Sequence, residues 1–233
     1  MTPTSEQIRA IFDRIAPVYD PLNHWLSLGQ HRVWKQMTVK WSGAKPGDTC
    51  LDVCCGSGDL AQLLAERVGS TGHVVGLDFS TAQLEVARQR VRDRYLDLPI
   101  TWQEGDALNL PFPDNTFDAL TMGYGLRNLT DISQGLRELW RVLKPGAKAA
   151  ILDFNHPHNP QMRAFQQWYL DHLVVPVANR FGLTDEYAYI APSLERFPTG
   201  DQQVNLALEV GFSATTHYPI AGGTMGVLVA SKS

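Results

Sequence analysis

The chain is short of cysteine, of long apolar runs and of excess basic charge, and each shortage removes a class of function. Its three cysteines stand at positions 50, 54 and 55 of 233 residues. None forms a C-x-x-C pair, and adjacent Cys54 and Cys55 are poor disulfide partners. A disulfide framework and a cysteine zinc site are therefore not expected, and a reducing, cytoplasmic compartment is. The densest apolar stretch, Leu173-Val174-Val175-Pro176-Val177-Ala178, is far below the roughly 20 residues needed to span a bilayer. Residues 1–7 lack the basic-then-apolar signature of a secretory signal. The expectation is a soluble chain, at most peripheral on a membrane. A net charge of −4 offers no basic footprint for nucleic acid. Repeats and low-complexity tracts are absent from the sequence as well. Monomer and homodimer are both left open.

What the chain does have is a regular alternation of apolar strands and amphipathic helices. Ser5 to Ile15 places Ile8, Ile11, Phe12 and Ile15 at helical spacing, and Leu22 to Trp41 reads as a second helix carrying Trp25 and Trp34. Strands follow at Thr49 to Val53, His73 to Asp78, Ile100 to Glu104, Phe117 to Met122 and Lys148 to Phe154. Helices at Asp59 to Val68, Thr81 to Arg94 and Asp131 to Leu143 separate them. This βαβα rhythm predicts an α/β, Rossmann-like, mostly parallel sheet with right-handed crossovers. Residues 155–198 break it with two aromatic-rich helical pieces, read as an insertion. A helix from Asp201 to Val210 and strands at Ala214 to Tyr218 and Gly226 to Ala230 bring the sheet to seven. The whole reads as one domain: a helical cap over 1–44, a binding core over 45–154, a lid over 155–198, and a closing helix and strands over 199–233.

The most informative stretch is Leu51-Asp52-Val53-Cys54-Cys55-Gly56-Ser57-Gly58-Asp59-Leu60. It is a strand running into a glycine loop that opens a helix, an arrangement that holds nucleotide-like ligands. Gly56, Gly58 and Ala61 fit G-x-G-x-x-G/A, and Asp78 lies about twenty residues on, where a ribose-binding acid belongs. That spacing suits a dinucleotide and S-adenosylmethionine (SAM) equally. Acidic Asp52 and Asp59 tip the reading toward SAM, because a pyrophosphate on the helix N-terminus would meet Asp59, whereas an ammonium or sulfonium would be attracted. The alternative for Asp59 is simply a favourable charge at a helix N-terminus. A short dehydrogenase would also need Tyr-x-x-x-Lys after the fourth or fifth strand, and none is present.

Ligands of open α/β sheets lie outside the C-terminal strand ends. Those ends carry Asp52 and the glycines, Asp78 for ribose hydroxyls, Asp106 for an adenine amino group, Gly123 to Asn128, and Asp153 to His156. Any one such aspartate is as easily a helix or turn cap; together they outline a pocket.

Several blocks then resemble the ubiquinone/menaquinone biosynthesis C-methyltransferases. They are Phe12-Asp13-Arg14-Ile15-Ala16-Pro17-Val18-Tyr19-Asp20 with Asn23, Gly105 to Asp118, and Gly123-Tyr124-Gly125-Leu126-Arg127-Asn128-Leu129-Thr130-Asp131. The likeness continues through Arg141 to Gly146, Asp185-x-Tyr187-x-Tyr189 and Gly222-Gly223-Thr224. It implies a class I SAM-dependent methyltransferase acting on a prenylated quinol ring. By that resemblance SAM would meet Ser57, Asp78, Asp106, Ala107 and Gly123, with Gly56 and Gly58 shaping the loop; Phe79, next to Asp78, joins the set. Where the family commonly has Glu-Phe-Ser-Lys-Pro, this chain has Asp153-Phe154-Asn155-His156-Pro157. That departure resembles the branch that makes phylloquinone, which implies a 2-phytyl-1,4-naphthoquinol or demethylmenaquinol substrate. A polyprenyl benzoquinol of ubiquinone synthesis is the alternative.

A phenol has a pKa of about 10, so a ring-methylating enzyme must generate or stabilise an oxyanion. Arg127 is the candidate by its fixed charge, with pairing to Asp131 or Asp153 as the structural alternative. His156 is a candidate base, with a polar-loop alternative. His156 and His158 lack companions for a metal site, so none is expected. The resemblance places Tyr19 and Asn23 near the reacting ring. Phe165, Trp168 and Leu173 of the insertion, with Trp25 and Trp34, are candidates to roof an apolar groove for the tail, or simply to fill the core.

Overall fold

A computed structural model describes residues 5–15, 27, 29–94, 97–174, 176 and 190–233. In chain order the elements are α1 (Ser5–Ile15), α2 (Gln30–Ser42), β1 (Thr49–Val53), α3 (Asp59–Val68), β2 (His73–Asp78), α4 (Thr81–Asp93), β3 (Ile100–Glu104), β4 (Phe117–Gly123), α5 (Ile132–Val142) and β5 (Leu143–Phe154). They continue with α6 (Pro160–Tyr169), α7 (Ile190–Arg196), α8 (Gly200–Glu209), β6 (Ala214–Ile220) and β7 (Met225–Ser231). The seven strands form one sheet in the order β3-β2-β1-β4-β5-β7-β6. The first five run parallel, and β7 lies antiparallel between β5 and β6.

Strands covered on both faces read as near-continuous apolar runs, and β1 shows how one strand feeds two cores. Leu51 and Val53 point to one face, where they meet Leu136 and Leu139 of α5 and Ala207 of α8. Cys50 points to the other, against Val39 of α2 and Leu64 and Val68 of α3. The side-chain period of two along a strand makes this division. It leaves α2 and α3 on one layer, α5 and α8 on the other, and the polar loop after Val53 at the sheet's upper edge.

Local chemistry sets the helix starts. Asp131 caps α5 by accepting from the Gln134 amide, Ser80 caps α4 through the Gln83 amide, and Thr199 and Gln202 form a capping box on α8. Two boundaries differ from the sequence expectation by more than two residues. Gly29, at φ 77, turns the chain so that α2 starts at Gln30; the expected portion from Leu22 to Leu26 lies outside the described residues. The expected turn Lys144-Pro145-Gly146 is instead absorbed into β5. Leu143 already pairs with Phe117, and a register shift precedes the pair Ala119 and Lys148. In the insertion, α6 runs into a π-helical turn, Leu170–Val174. Phe181, Tyr187 and Tyr189 lie outside the described residues. Among the described residues no helix is long and apolar enough to cross a membrane.

Candidate functional site

The strand order reverses between β1 and β4, so the loops leaving their upper ends diverge. Such a switch point opens a crevice, and here it holds a cavity of about 390 Å³, within the usual size of small-molecule sites. Asp52, Gly56, Ser57, Asp78, Phe79, Asp106, Ala107 and Gly123 all line it. Of the residues expected to meet the cofactor, only Gly58 is not in its wall.

Asp52 is wholly buried in β1. Register places it beside Thr121 of β4, whose hydroxyl donates to Asp52 Oδ1 at 2.7 Å. Oδ2 is buried and has no donor in hydrogen-bonding geometry among the described residues. Burial raises the Asp52 pKa to about 7, against the opposing pull of the Thr121 hydrogen bond and the Lys35 charge. The loop that follows turns through left-handed conformations at Cys54, Gly56 and Gly58. A side chain on Gly58 would stand 2.4 Å from the ring of Trp102 on β3, so this glycine admits a neighbouring indole rather than a ligand. Burial beside Asp78 and Asp52 pushes the Cys54 and Cys55 thiols well above their ordinary range. They stay protonated beside the cavity.

Asp78 ends β2 and ties the loop down. Its Oδ2 accepts from the Gly56 amide at 2.8 Å and its Oδ1 from the Ser80 amide at 2.9 Å. Burial raises it to about 6, while the Ser80, Gly56 and Phe79 amides oppose that. Asp106 at the next strand end accepts from the Leu108 amide. Asn128 adds a second buried acceptor to the wall, Oδ1, without a donor among the described residues.

Asp59 requires a correction. The acid that was expected to attract a cationic ligand is already paired on both oxygens. Lys35 of α2 reaches Oδ2 at 2.5 Å and Arg90 of α4 reaches Oδ1 at 2.6 Å. Arg90 also donates to the backbone oxygen and hydroxyl of Ser57. These cations hold the Asp59 carboxyl well below the usual carboxylate range despite its burial. Two cations share this one carboxylate, and the charge of Lys35 also acts on Asp52. The convergence of α2 and α4 over the first turn of α3 creates the cluster, and no spacing in the sequence announces it. Lys35, Thr121 and Arg90 are the residues of the site and its surround that sequence reasoning missed.

Arg127 pairs with Asp153. From the short 3-10 turn Leu126–Asn128 its Nη1 donates to Asp153 Oδ1 at 2.6 Å and to the Tyr124 carbonyl at 2.9 Å, and its guanidinium stacks 4.8 Å from the Phe154 ring. Asp131, the other suggested partner, caps α5. Arg127 borders a smaller hollow of about 320 Å³ with Arg196 and Phe197, which shares Ile8, Asn128, Leu129 and Thr130 with the main cavity. His156 has Nε2 3.0 Å from the Phe197 carbonyl and lines neither cavity. Tyr19 and Asn23 lie outside the described residues. Among the described residues no three His, Cys, Asp or Glu are grouped to hold a metal ion.

Solved structures share this architecture at low identity. A SAM-dependent methyltransferase from Aquifex aeolicus aligns with a TM-score of 0.63 and 22% identity, covering 84% of this chain and 88% of its own. The [4+2]-cyclase SpnF aligns with a TM-score of 0.64 and 18% identity, over 99% of this chain and 97% of its own. A cyclase and a methyltransferase on one scaffold show that the fold alone does not select the reaction. Sequence relatives are far nearer. A protein of Trichormus variabilis named "2-phytyl-1,4-naphtoquinone methyltransferase" is 67% identical over 98% of this chain and 100% of its own length. A Synechocystis protein of the same name is 60% identical over 99% and 97%. The Arabidopsis thaliana chloroplastic 2-phytyl-1,4-beta-naphthoquinone methyltransferase is 55% identical over 98% and 88%. The model of the ubiE/COQ5 methyltransferase family matches residues 1–232. With that match running from the cap helices through β7, the chain belongs to the ubiE/COQ5 methyltransferase family.

Proposed function

We propose that the chain uses SAM to methylate a ring carbon of a 2-phytyl-1,4-naphthoquinol. The observation that carries the substrate is the shared name of relatives at 55–67% identity, each aligned over nearly all of this chain. That name favours the naphthoquinol over the benzoquinol alternative. The cavity fits SAM chemically. It offers a buried carboxylate oxygen at Asp52 that no donor meets in hydrogen-bonding geometry among the described residues, acids at Asp78 and Asp106, and the Lys35 ammonium beside Asp59. When bound, SAM supplies a methyl group activated by a sulfonium leaving group. In this reading Asp52, Gly56, Ser57, Asp78, Phe79, Asp106, Ala107 and Gly123 hold it, and Gly58 shapes their loop. Arg127, its charge matched by Asp153, positions the 124–128 loop that presents Asn128 to the cavity. Tyr19 and Asn23 are assigned to the ring, and His156 to the loop after β5.

A quinone carbon is electron-poor, so the attacking species is the quinol or its phenolate. With matched quinone and quinol assayed anaerobically, methyl transfer into the organic phase is expected from the quinol alone. Equal rates from both would overturn this choice of nucleophile.

A phytyl tail keeps such a substrate in lipid, and the insertion carries apolar side chains facing solvent. Phe165, Trp168 and Leu173 are 51%, 48% and 39% exposed, and Phe165 stacks on Trp168, which stacks on His172. Aromatic rings of this kind suit a membrane interface, so the protein is assigned a peripheral contact through α6. Replacing Phe165 and Trp168 with serine is expected to abolish sedimentation with quinol-loaded vesicles. Methylation of a short-chain quinol in detergent should persist, and unchanged sedimentation would remove α6 from this role.

A further inference from the structure

We infer that Lys35 binds the α-carboxylate of the cofactor's amino-acid end, while Asp52 of the same cavity takes its ammonium. This rests on the SAM reading above and adds to it a residue outside the strand ends.

Lys35 is a buried lysine, 7% exposed, and a buried ammonium is costly unless something compensates it. Asp59 compensates it only in part. Its Oδ1 is already held by Arg90 at 2.6 Å, so the first turn of α3 has a balanced ion pair without any contribution from α2. Lys35 adds a second cation on Oδ2 and lines the cavity wall beside Asp59, Ser57 and Gly56. The first amides of α3 lie at the same corner and reinforce its positive potential. The charge of Lys35 also acts on Asp52, so Lys35 and Arg90 face Asp59 and an ionised Asp52; a ligand whose ammonium takes up Asp52 leaves Lys35 to be matched by an anionic group of the same ligand.

The opposite arrangement, with the ligand's ammonium on Asp59, is opposed by charge, because Lys35 and Arg90 already pair with that carboxylate and repel a third cation. The acceptor left for an ammonium is Asp52 Oδ2, buried and met by no donor in hydrogen-bonding geometry among the described residues, though the Ala61 amide also acts on this carboxylate. Lys35 also stands 5.9 Å above the Tyr124 ring, which limits where its head group can swing. A zwitterionic α-amino acid carries one group for each wall; a ligand with only an ammonium satisfies Asp52 and leaves Lys35 unmatched.

Isothermal titration with SAM and decarboxylated SAM tests this without turnover. The wild-type protein is expected to bind SAM tighter by about tenfold or more, the scale of one charge-assisted hydrogen bond. Lys35→Met, which keeps the apolar stem, should bring the two affinities together by weakening SAM alone, and Lys35→Arg should restore the gap. Equal wild-type affinities would refute the assignment whatever the variants do. So would a Lys35→Met variant that weakens both compounds alike. A wild-type protein that binds neither would instead sink the cofactor reading itself.

Discussion

Asp52→Asn is expected to make the ligand-free protein more stable at pH 8 while weakening SAM about 100-fold. In the folded protein Asp52 has a pKa of about 7, raised by burial from an ordinary 3.8. A folded pKa above the unfolded one means that the native state holds the proton more tightly across that window. Stability therefore declines as pH rises from about 4 to about 7, and the loss is complete above the folded value. The interval corresponds to about 4 kcal/mol on the scale of 1.36 kcal/mol per pH unit. An asparagine carries no charge to bury, so the variant should lose most of this slope. A smaller decline below pH 6 should remain from Asp78, whose pKa is about 6 for the same reason. The cofactor sees the opposite preference: its ammonium needs the ionised carboxylate, so SAM affinity should climb with pH toward 7 in the wild type and stay flat in the variant. Removing one charged hydrogen-bond partner from a buried site accounts for about 2–3 kcal/mol, hence the hundredfold figure. Thermal unfolding across pH 5–8 and titration calorimetry over the same range check both halves. A variant that binds SAM like the wild type would take Asp52 out of the site.

Asp78→Ala should weaken SAM by at least about 100-fold, for a different reason. Asp78 joins the end of β2 to the glycine loop through the Gly56 and Ser80 amides. Truncation orphans two buried donors, each worth about 1–3 kcal/mol, but it also removes a carboxylate whose ionisation is itself unfavourable in the fold. The two terms oppose, so global stability should move by less than about 2 kcal/mol while the loop loses its anchor. Hydrogen exchange separates these effects: the Gly56 amide should lose protection and amides inside β1 and β4 should keep theirs. Persisting protection at Gly56 would show that something else orders the loop.

The fold was legible because long-range order here follows short-range pattern. Runs such as Leu51 to Val53 and Leu120 to Met122 are buried on both faces, and a glycine follows each within three residues, at the sheet's upper edge. Strand ends therefore identified the acids and glycines that line the cavity. What stayed hidden depends on which helices converge in space. Lys35 carries no signal in the sequence, and only the packing of α2 over α3 brings it to Asp59. That pairing inverted the expected polarity of the loop: an acid placed to attract a cation instead holds two cations beside the ligand. Thr121 was equally invisible, since the register of β4 on β1 is set by the sheet. Arg127 was open between two acidic partners, and Asp131 was removed from that choice by its capping bond to Gln134. Gly58 matched a ligand-loop pattern for a reason unrelated to the ligand, the close approach of Trp102.

The interior place of β7 also bears on synthesis. This strand is translated after all six others, yet it separates β5 from β6. On the ribosome, the growing polypeptide must hold β5, twelve residues long, with one ladder edge unpaired until residues 225–231 emerge. An unpaired apolar edge invites pairing with foreign strands. Nascent chains stalled short of β7 should therefore be the form that chaperones retain, and synonymous codons that slow the final stretch should lower soluble yield without altering the finished protein.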